Sequence, residues 1–260
     1  MLLRSLGAGV SGLKNFQTDL DVIGNNIANV STTGYKKSRA NFQDTFSQQM
    51  QGASNNRNAI QVGLGTETSS IDNITTGGTV NETDNPYDLA INGEGYFHVR
   101  DANNNDYYTR AGDFKLNSAG DGLVNSQGMT LVGVGSAGGS TGNFQNLSSF
   151  TVAPDGTVVG VNGDTTVPLG TVDVVNFSNP AGLAKEGDSL YTQTSASGNE
   201  TPVTLGGDTK ITQGALEGSN VDLTDEMTNL IEAQRAYQAN AQTITTADDI
   251  LQTLVQLKRN

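Results

Sequence analysis

Apolar positions recur at helical spacing at both ends of this chain and at strand spacing between them. Near the start, Leu6, Val10, Leu13, Gln17, Leu20, Gly24 and Ile27 follow one another in steps of four and three, with Phe16, Val22 and Ile23 beside them. Such a stripe predicts an amphipathic or coiled-coil helix over 2–29. Asn25, Asn26 and Asn29, then Ser31-Thr32-Thr33-Gly34, supply its stop. Near the end, Met227, Leu230, Ile231, Tyr237, Ala241, Ile244, Leu251, Leu254 and Leu257 mark a second helix. Its length is about 35 residues, or ~52 Å. Gln234 falls mid-seam, where a polar residue sets register. Asp222, Asp225 and Glu226 suit the positive end of this helix, and Lys258 and Arg259 the negative end.

Neither stripe is wide enough to form a core alone. Gly7, Gly9, Gly12 and Gly24 each weaken the first helix by about 1 kcal/mol relative to Ala. The expectation is a pair of terminal helices ordered by partners, in preference to a pair packed onto the body of a monomer.

Between the helices the period shortens. Residues 35–85 read as a connecting segment, with one short helix through Phe42, Phe46 and Met50, then a hairpin over Ile60–Ile74. From Asp88 strands dominate: Leu89-Ala90-Ile91, an Asn92-Gly93 turn, then Tyr96 to Val99. Further strands and turns follow at roughly 8–12-residue spacing, the pattern of an antiparallel sheet or barrel. Ser195 to Asp208 reads as a linker returning to the tail. The expected fold class is therefore mainly β with terminal α-helices. Its divisions are 1–34 (N-terminal helix), 35–85 (connector), 86–210 (antiparallel β domain) and 211–260 (C-terminal helix, paired with the first).

Composition agrees. Gly contributes 32 of 260 residues and apolar residues only 35 %, which fits an all-β body with many tight turns or a partly disordered chain, and the regular strand patterns favour the first. The net charge of −13 is uneven: 16 acids against five bases lie in 71–210, whereas 1–70 holds four acids and six bases. An acidic body lacks the basic footprint that nucleic acid needs. Without Cys there is neither a disulfide nor a thiolate metal site. No run approaches the ~18 apolar residues of a membrane span. The first sixteen residues are too broken by Arg4, Ser5, Gly7 and Gly9 to read as a cleaved signal.

Candidate chemistry is thin. Gly133 to Gly138 satisfies G-x-G-x-x-G, but no helix opens after it to hold a pyrophosphate. Asp101 to Asn105 starts like a calcium loop, yet Asp106 replaces the glycine and Gly112 the glutamate. It reads as an Asn-rich turn. His98, the only histidine, has no nucleophile to serve and reads as structural or surface. The basic run Lys36, Lys37 and Arg39 suits an ion pair with an acidic neighbour in an assembly. No catalytic residue, cofactor or metal is expected, so the chain is not read as an enzyme.

Five ordered stretches carry a family resemblance. Asp21 to Asn29, followed by Thr33-Gly34-Tyr35-Lys36, resembles the N-terminal signature of bacterial flagellar rod and hook proteins, with Gly24, Asn25 and Asn26 inside it. Asp88 to Phe97, with Gly93 and Gly95, resembles the start of that family's β-domain, and Tyr108 to Phe114, with Arg110 and Gly112, its next signature. Phe177 to Leu183 resembles a later one. Ser219 to Leu223, with Asn220, and Gln234 to Asn240, with Arg235, resemble the C-terminal signature.

The resemblance implies a structural subunit exported through the flagellar type III apparatus. It implies a helical tube in which terminal helices pack as an inner coiled coil and the β-domain forms the outer wall. Leu6, Val10, Leu13, Leu20, Ile23, Ile27, Met227, Leu230, Ile231, Gln234, Tyr237, Ala241, Ile244, Leu251 and Leu254 then become the helix and inter-subunit interface. Implied partners are further copies of the chain, neighbouring rod, hook and hook–filament junction proteins, and the export apparatus. Neither nucleic acid nor membrane insertion is implied. The expected location is the flagellum, as exported hook or basal body outside the cell. The first reading is the hook, the flexible joint that transmits torque. The alternative is the distal rod, and a remote third is a secreted carbohydrate-acting β-domain.

Overall fold

A computed structural model describes residues 2–51, 60–135, 144, 147–163 and 165–259. The chain divides into two compact units. The helical unit comprises Met1–Ala28, Ser38–Asp72 and Asp222–Asn260, and the β unit comprises Asn29–Lys37 and Asn73–Val221.

In the helical unit, α1 spans Leu2–Ala28 and α2 spans Leu223–Arg259. Asp222 caps α2, its carboxylate accepting from the N–H groups of Thr224 at 2.8 Å and Asp225 at 3.4 Å. The helices run antiparallel: Asn26 bonds Glu226, while Gly9 lies against Ile244. Four strands complete the unit: β1 (Ser38–Asp44), β2 (Ser47–Gln51), β3 (Ile60–Gly63) and β4 (Thr66–Asn73). β1 pairs with β4 and β2 with β3, a ribbon made of two two-stranded sheets.

This ribbon corrects two expectations. The short helix through Phe42, Phe46 and Met50 is extended chain, because a spacing of four is even and keeps one face of a strand as well as one face of a helix. The hairpin is not closed within 60–74. β3 and β4 instead take their partners from β2 and β1.

The β unit contains β5 (Val80–Glu82), β6 (Leu89–Asn92), β7 (Tyr96–Arg100), β8 (Asp106–Thr109), β9 (Lys115–Leu116), β10 (Leu123–Val124) and β11 (Thr130–Leu131). It continues with β12 (Ser149–Val152), β13 (Thr157–Asn162), β14 (Thr165–Thr171), β15 (Val174–Phe177) and β16 (Ala184–Gly187). The last strands are β17 (Leu190–Thr192), β18 (Glu200–Pro202), β19 (Lys210–Gln213) and β20 (Ala215–Glu217). The strand pairs of the β unit, and β2 with β3, are all antiparallel.

β7 is the centre. β8 lies on one side of it, and β11 and β15 share the other. Its alternate residues therefore feed two cores. Phe97 and Val99 join Leu89, Phe114, Leu131 and Val174 on one face, and Tyr96 joins Tyr108, Phe177, Leu183 and Tyr191 on the other. A strand buried on both faces must read as a continuous apolar run, which Tyr96 to Val99 does except at His98.

Two further expectations change here. Asn92-Gly93 does not close a hairpin, because β6 pairs with β19 rather than β7. Gly93 and Gly95 have positive φ of 128° and 129°, which glycine adopts without strain, and carry the chain from one sheet to another. Within Ser195–Asp208, β18 pairs with β15 and Ser197 is buried, so that stretch belongs to the sheet. Asp101–Asn105 does form a turn between β7 and β8, closed by Asp101 N–H to Asn105 O at 3.0 Å. The second half of the G-x-G-x-x-G stretch, 136–138, lies outside the described residues.

Candidate assembly surfaces

The seam between α1 and α2 is made of small and polar residues. On α1 the buried positions are Gly9, Gly12, Ile23 and Asn26, with Asp19 half-buried among them. On α2 they are Glu226, Ala233 and Ala247, flanked by half-buried Leu230, Asn240, Ile244 and Leu251. A Cβ on Gly9 would stand 3.2 Å from Ile244 and one on Gly12 3.0 Å from Asn240. These two glycines let the helices approach. Gly7 and Gly24 have open space beside them.

The polar seam residues are tied down. Asn26, 2 % exposed, donates to Ser38 O at 2.8 Å and Glu226 Oε2 at 3.1 Å, and accepts from Ser38 N–H at 3.0 Å. It thus holds β1 and α2 to the end of α1. Burial, and then the Glu226 carboxylate, push the Asp19 carboxyl up. On the next face of α1, Asn15 bonds Thr66 and Thr68 of β4, and the Phe16 ring packs at a tilt against Phe42 of β1, 6.3 Å between centroids.

The stripe read from the sequence is offset from this seam by one residue. Positions 10, 13, 20, 24 and 27 stand next to seam positions 9, 12, 19, 23 and 26. One residue is about 100° of helix rotation. Of the predicted interface residues, only Ile23 is fully buried. Leu6, Leu13, Leu20, Ile27, Leu230, Ala241, Ile244 and Leu251 are half-buried, and Gln234 is exposed. Val10 is 55 % exposed, Met227 50 %, Ile231 52 %, Tyr237 37 % and Leu254 50 %. The helical unit thus uses its glycines, alanines and buried polar groups to pair α1 with α2, and leaves much of its apolar stripe uncovered.

In the β unit the signature residues meet at one buried ion cluster. Lys36 Nζ lies 2.6 Å from Glu217 Oε1 and 2.9 Å from Thr76 O. Arg110 Nη1 lies 3.1 Å from Glu217 Oε2, and Nη2 donates to Gly93 O at 2.8 Å. The N–H of Gly78 reaches Glu217 Oε1 at 2.9 Å, and the guanidinium sits 5.4 Å over the Tyr96 ring. All three charged side chains are nearly inaccessible. Burial, outweighing the neighbouring Glu217 carboxylate, pulls the Lys36 amine down.

Main-chain bonds stitch the same place. Gly34 N–H donates to Glu217 O at 2.8 Å, and Asn220 accepts from Lys37 N–H at 2.8 Å while donating to Ile74 O at 2.8 Å. Gly34 has φ 66° and no room for a Cβ, which would meet Ala111 N at 2.5 Å. Gly112 is as confined, its absent Cβ pointing at the Leu89 carbonyl. Tyr35 carries Lys185 Nζ 5.0 Å over its ring. Asn25 and Arg235 are exposed and lie outside this cluster.

The sequence reading took Lys36 for a contact with another subunit, whereas its acidic neighbour lies in its own chain. Glu217 was missed. Its signal was a carboxylate two residues from Ala215 on the inward face of a strand, where an acid needs a buried cation. Among the described residues no three His, Asp or Glu side chains gather in a way that could hold a metal. Nor, among the described residues, is any helix long and apolar enough to cross a membrane.

Three family profiles match in order. "Flagella basal body rod protein" covers 6–36, "Flagellar hook protein FlgE/F/G D1 domain" 90–160 and "Flagellar basal body rod FlgEFG protein C-terminal" 212–257. Among whole proteins, the chain is 44 % identical to the flagellar basal-body rod protein FlgG of Bacillus subtilis over 268 residues, covering 99 % of this chain and 100 % of the relative. The FlgG of Agrobacterium fabrum is 40 % identical over 269 residues, covering 95 % and 97 %. The flagellar hook protein FlgE of Borreliella burgdorferi is 27 % identical over 445 residues, covering 99 % and 100 %.

Proposed function

This chain belongs to the flagellar basal-body rod and hook protein family, whose members are structural rather than enzymatic, and we propose that within it the chain is a distal rod subunit. The sequence reading put the hook first and the rod second, and the relatives reverse that order. Rod proteins align over nearly the chain's own length at 35–44 % identity. The hook relative needs a 445-residue alignment for a 260-residue chain, so long segments of one have no counterpart in the other.

Polymerisation rests on one observation: the apolar stripe of the helical unit, centred on Val10, Met227 and Ile231, remains uncovered after α1 and α2 have paired. A second copy supplies the matching surface, and repetition of that contact by a rotation that does not close gives a helical tube. The exposed members of the predicted interface, Val10, Met227, Ile231, Tyr237 and Leu254, are its components, whereas Ile23 is used up inside the seam. The β unit carries most of the acidic charge and keeps its own faces soluble. Neighbouring rod and hook proteins, with the export apparatus, are the remaining partners of this reading.

The test is imaging of basal bodies from a strain lacking the gene. A distal rod subunit leaves truncated rods. Complete rods without hooks would return the assignment to the hook.

A further inference from the structure

His98 sits at the middle of β7, 5 % exposed, with a carboxylate on each ring nitrogen. Nδ1 is 2.8 Å from Asp173 Oδ2 and Nε2 is 3.0 Å from Asp106 Oδ1. Asp106 opens β8, and Asp173 immediately precedes β15. The ring therefore bridges the two strands that flank β7. Its own backbone N–H also donates to Asp173 O at 3.2 Å.

A neutral imidazole has one N–H and one lone pair. In this arrangement the lone pair would face an ionised carboxylate at hydrogen-bond distance. Only the imidazolium donates to both. The other charged and titratable groups around the ring favour the same form. Arg100, on β7 itself, donates to the same Asp106 oxygen at 2.7 Å. Tyr108 of β8 stacks on the ring at 5.5 Å and donates its hydroxyl to Glu200 of β18 at 2.6 Å. Two cations thus meet three carboxylates, and loss of one proton leaves a single cation among three. Burial pulls the imidazole down, but the hydrogen bonds and charges of Asp173 and Asp106 outweigh it and hold it above its ordinary 6.5.

We propose that His98 is a proton-held staple: as an imidazolium it clamps β8 and the entry to β15 onto β7, and it releases them when it is deprotonated. The direction follows from linkage. The histidine is more basic in the folded than in the unfolded chain, so its stabilisation is complete below the unfolded value of 6.5 and is lost as pH rises through the folded value. The β unit is then a body that loosens as pH rises through the folded value of this one histidine. This goes beyond assembly and does not depend on the chain being rod or hook.

His98 is the only histidine, so its ring-proton resonance in the full chain needs no assignment. The expected titration midpoint lies above 6.5, and Asp173→Asn and Asp106→Asn each lower it by about 1 pH unit. The unfolding temperature of the β unit falls as pH rises through the midpoint, and His98→Gln removes that fall. A midpoint at or below 6.5 overturns the proposal. So do carboxamide variants that leave the midpoint in place, or a His98→Gln chain with the same alkaline loss. If a variant does not fold, the titration of the unaltered chain decides.

Discussion

Gly12 of α1 faces Asn240 of α2 so closely that a single added methyl would stand 3.0 Å from the amide nitrogen. The residue that costs α1 helical propensity is thus the one that lets α2 approach. Gly7, on the same helix, has no atom of this kind within 4 Å. Gly7→Ala is expected to add up to about 1 kcal/mol of helix stability. Gly12→Ala gains the same propensity but forces Asn240 aside, so it falls short of Gly7→Ala by about 1 kcal/mol. Thermal unfolding followed at 222 nm compares the two, and equal gains would show that the seam has slack.

The offset between stripe and seam separates folding from assembly. Val10 and Ile231 are more than half exposed, whereas Ile23 is 5 % exposed. Val10→Asp and Ile231→Asp should change the stability of the free chain by less than about 0.5 kcal/mol. Both should prevent polymerisation. Ile23→Asp buries a charge in the seam and should unfold the helix pair itself. Sedimentation for assembly and circular dichroism for helix content make the comparison. Tubes formed by Val10→Asp would remove the stripe from the interface.

Glu217 holds two buried cations at once. Glu217→Gln leaves Lys36 and Arg110 without a counter-charge and is expected to cost about 3–5 kcal/mol in urea unfolding of the β unit. Lys36→Met leaves the Arg110–Glu217 pair in place and should cost less. A loss under about 1 kcal/mol for Glu217→Gln would mean that water enters the cluster.

Tyrosine ionisation reports on the second core. Burial pushes Tyr96 up to about 12, and it raises Tyr108 and Tyr191 as well, with the Glu200 hydrogen bond adding to the effect at Tyr108. A phenol less acidic in the folded chain contributes stability that is present below the ordinary 10.0 and is lost as pH climbs toward about 12. Absorbance at 295 nm should therefore show three of the seven tyrosines ionising late, together with loss of the near-ultraviolet circular dichroism. All seven titrating together near 10 in a folded chain would contradict the burial.

The helices, the β-rich middle and the motif order were legible because each rests on periodicity or on local words in the chain. The seam was not. Hydropathy marks Leu13 and Leu20 but is blind to Gly9, Gly12 and Asn26, which pair the helices by closeness and hydrogen bonding. The ribbon over β1 to β4 was misread at Phe42, Phe46 and Met50, because both helix and strand keep a residue and its fourth neighbour on one side. Asn92-Gly93 promised a hairpin, and a partner strand more than a hundred residues later took β6 away. Lys36 looked like a surface charge because nothing near it in sequence shows that Glu217 will cover it. Apart from that local ambiguity of spacing, each miss concerns a partner remote along the chain, and each success a pattern contained within a few turns.

The Lys36–Glu217 pair joins residues 181 positions apart, and Arg110 comes from between them. The cluster therefore closes only when the first, middle and last thirds of the chain are all present. A polypeptide emerging end first, from a ribosome or a narrow conduit, holds two unmatched cations until its final strand arrives. Pairings of such sequence separation form slowly, since the intervening loop must be closed before the contact rewards it. The ion cluster is thus also a check that the chain has reached β20, and a chain cut short of that strand leaves Lys36 and Arg110 without their counter-charge.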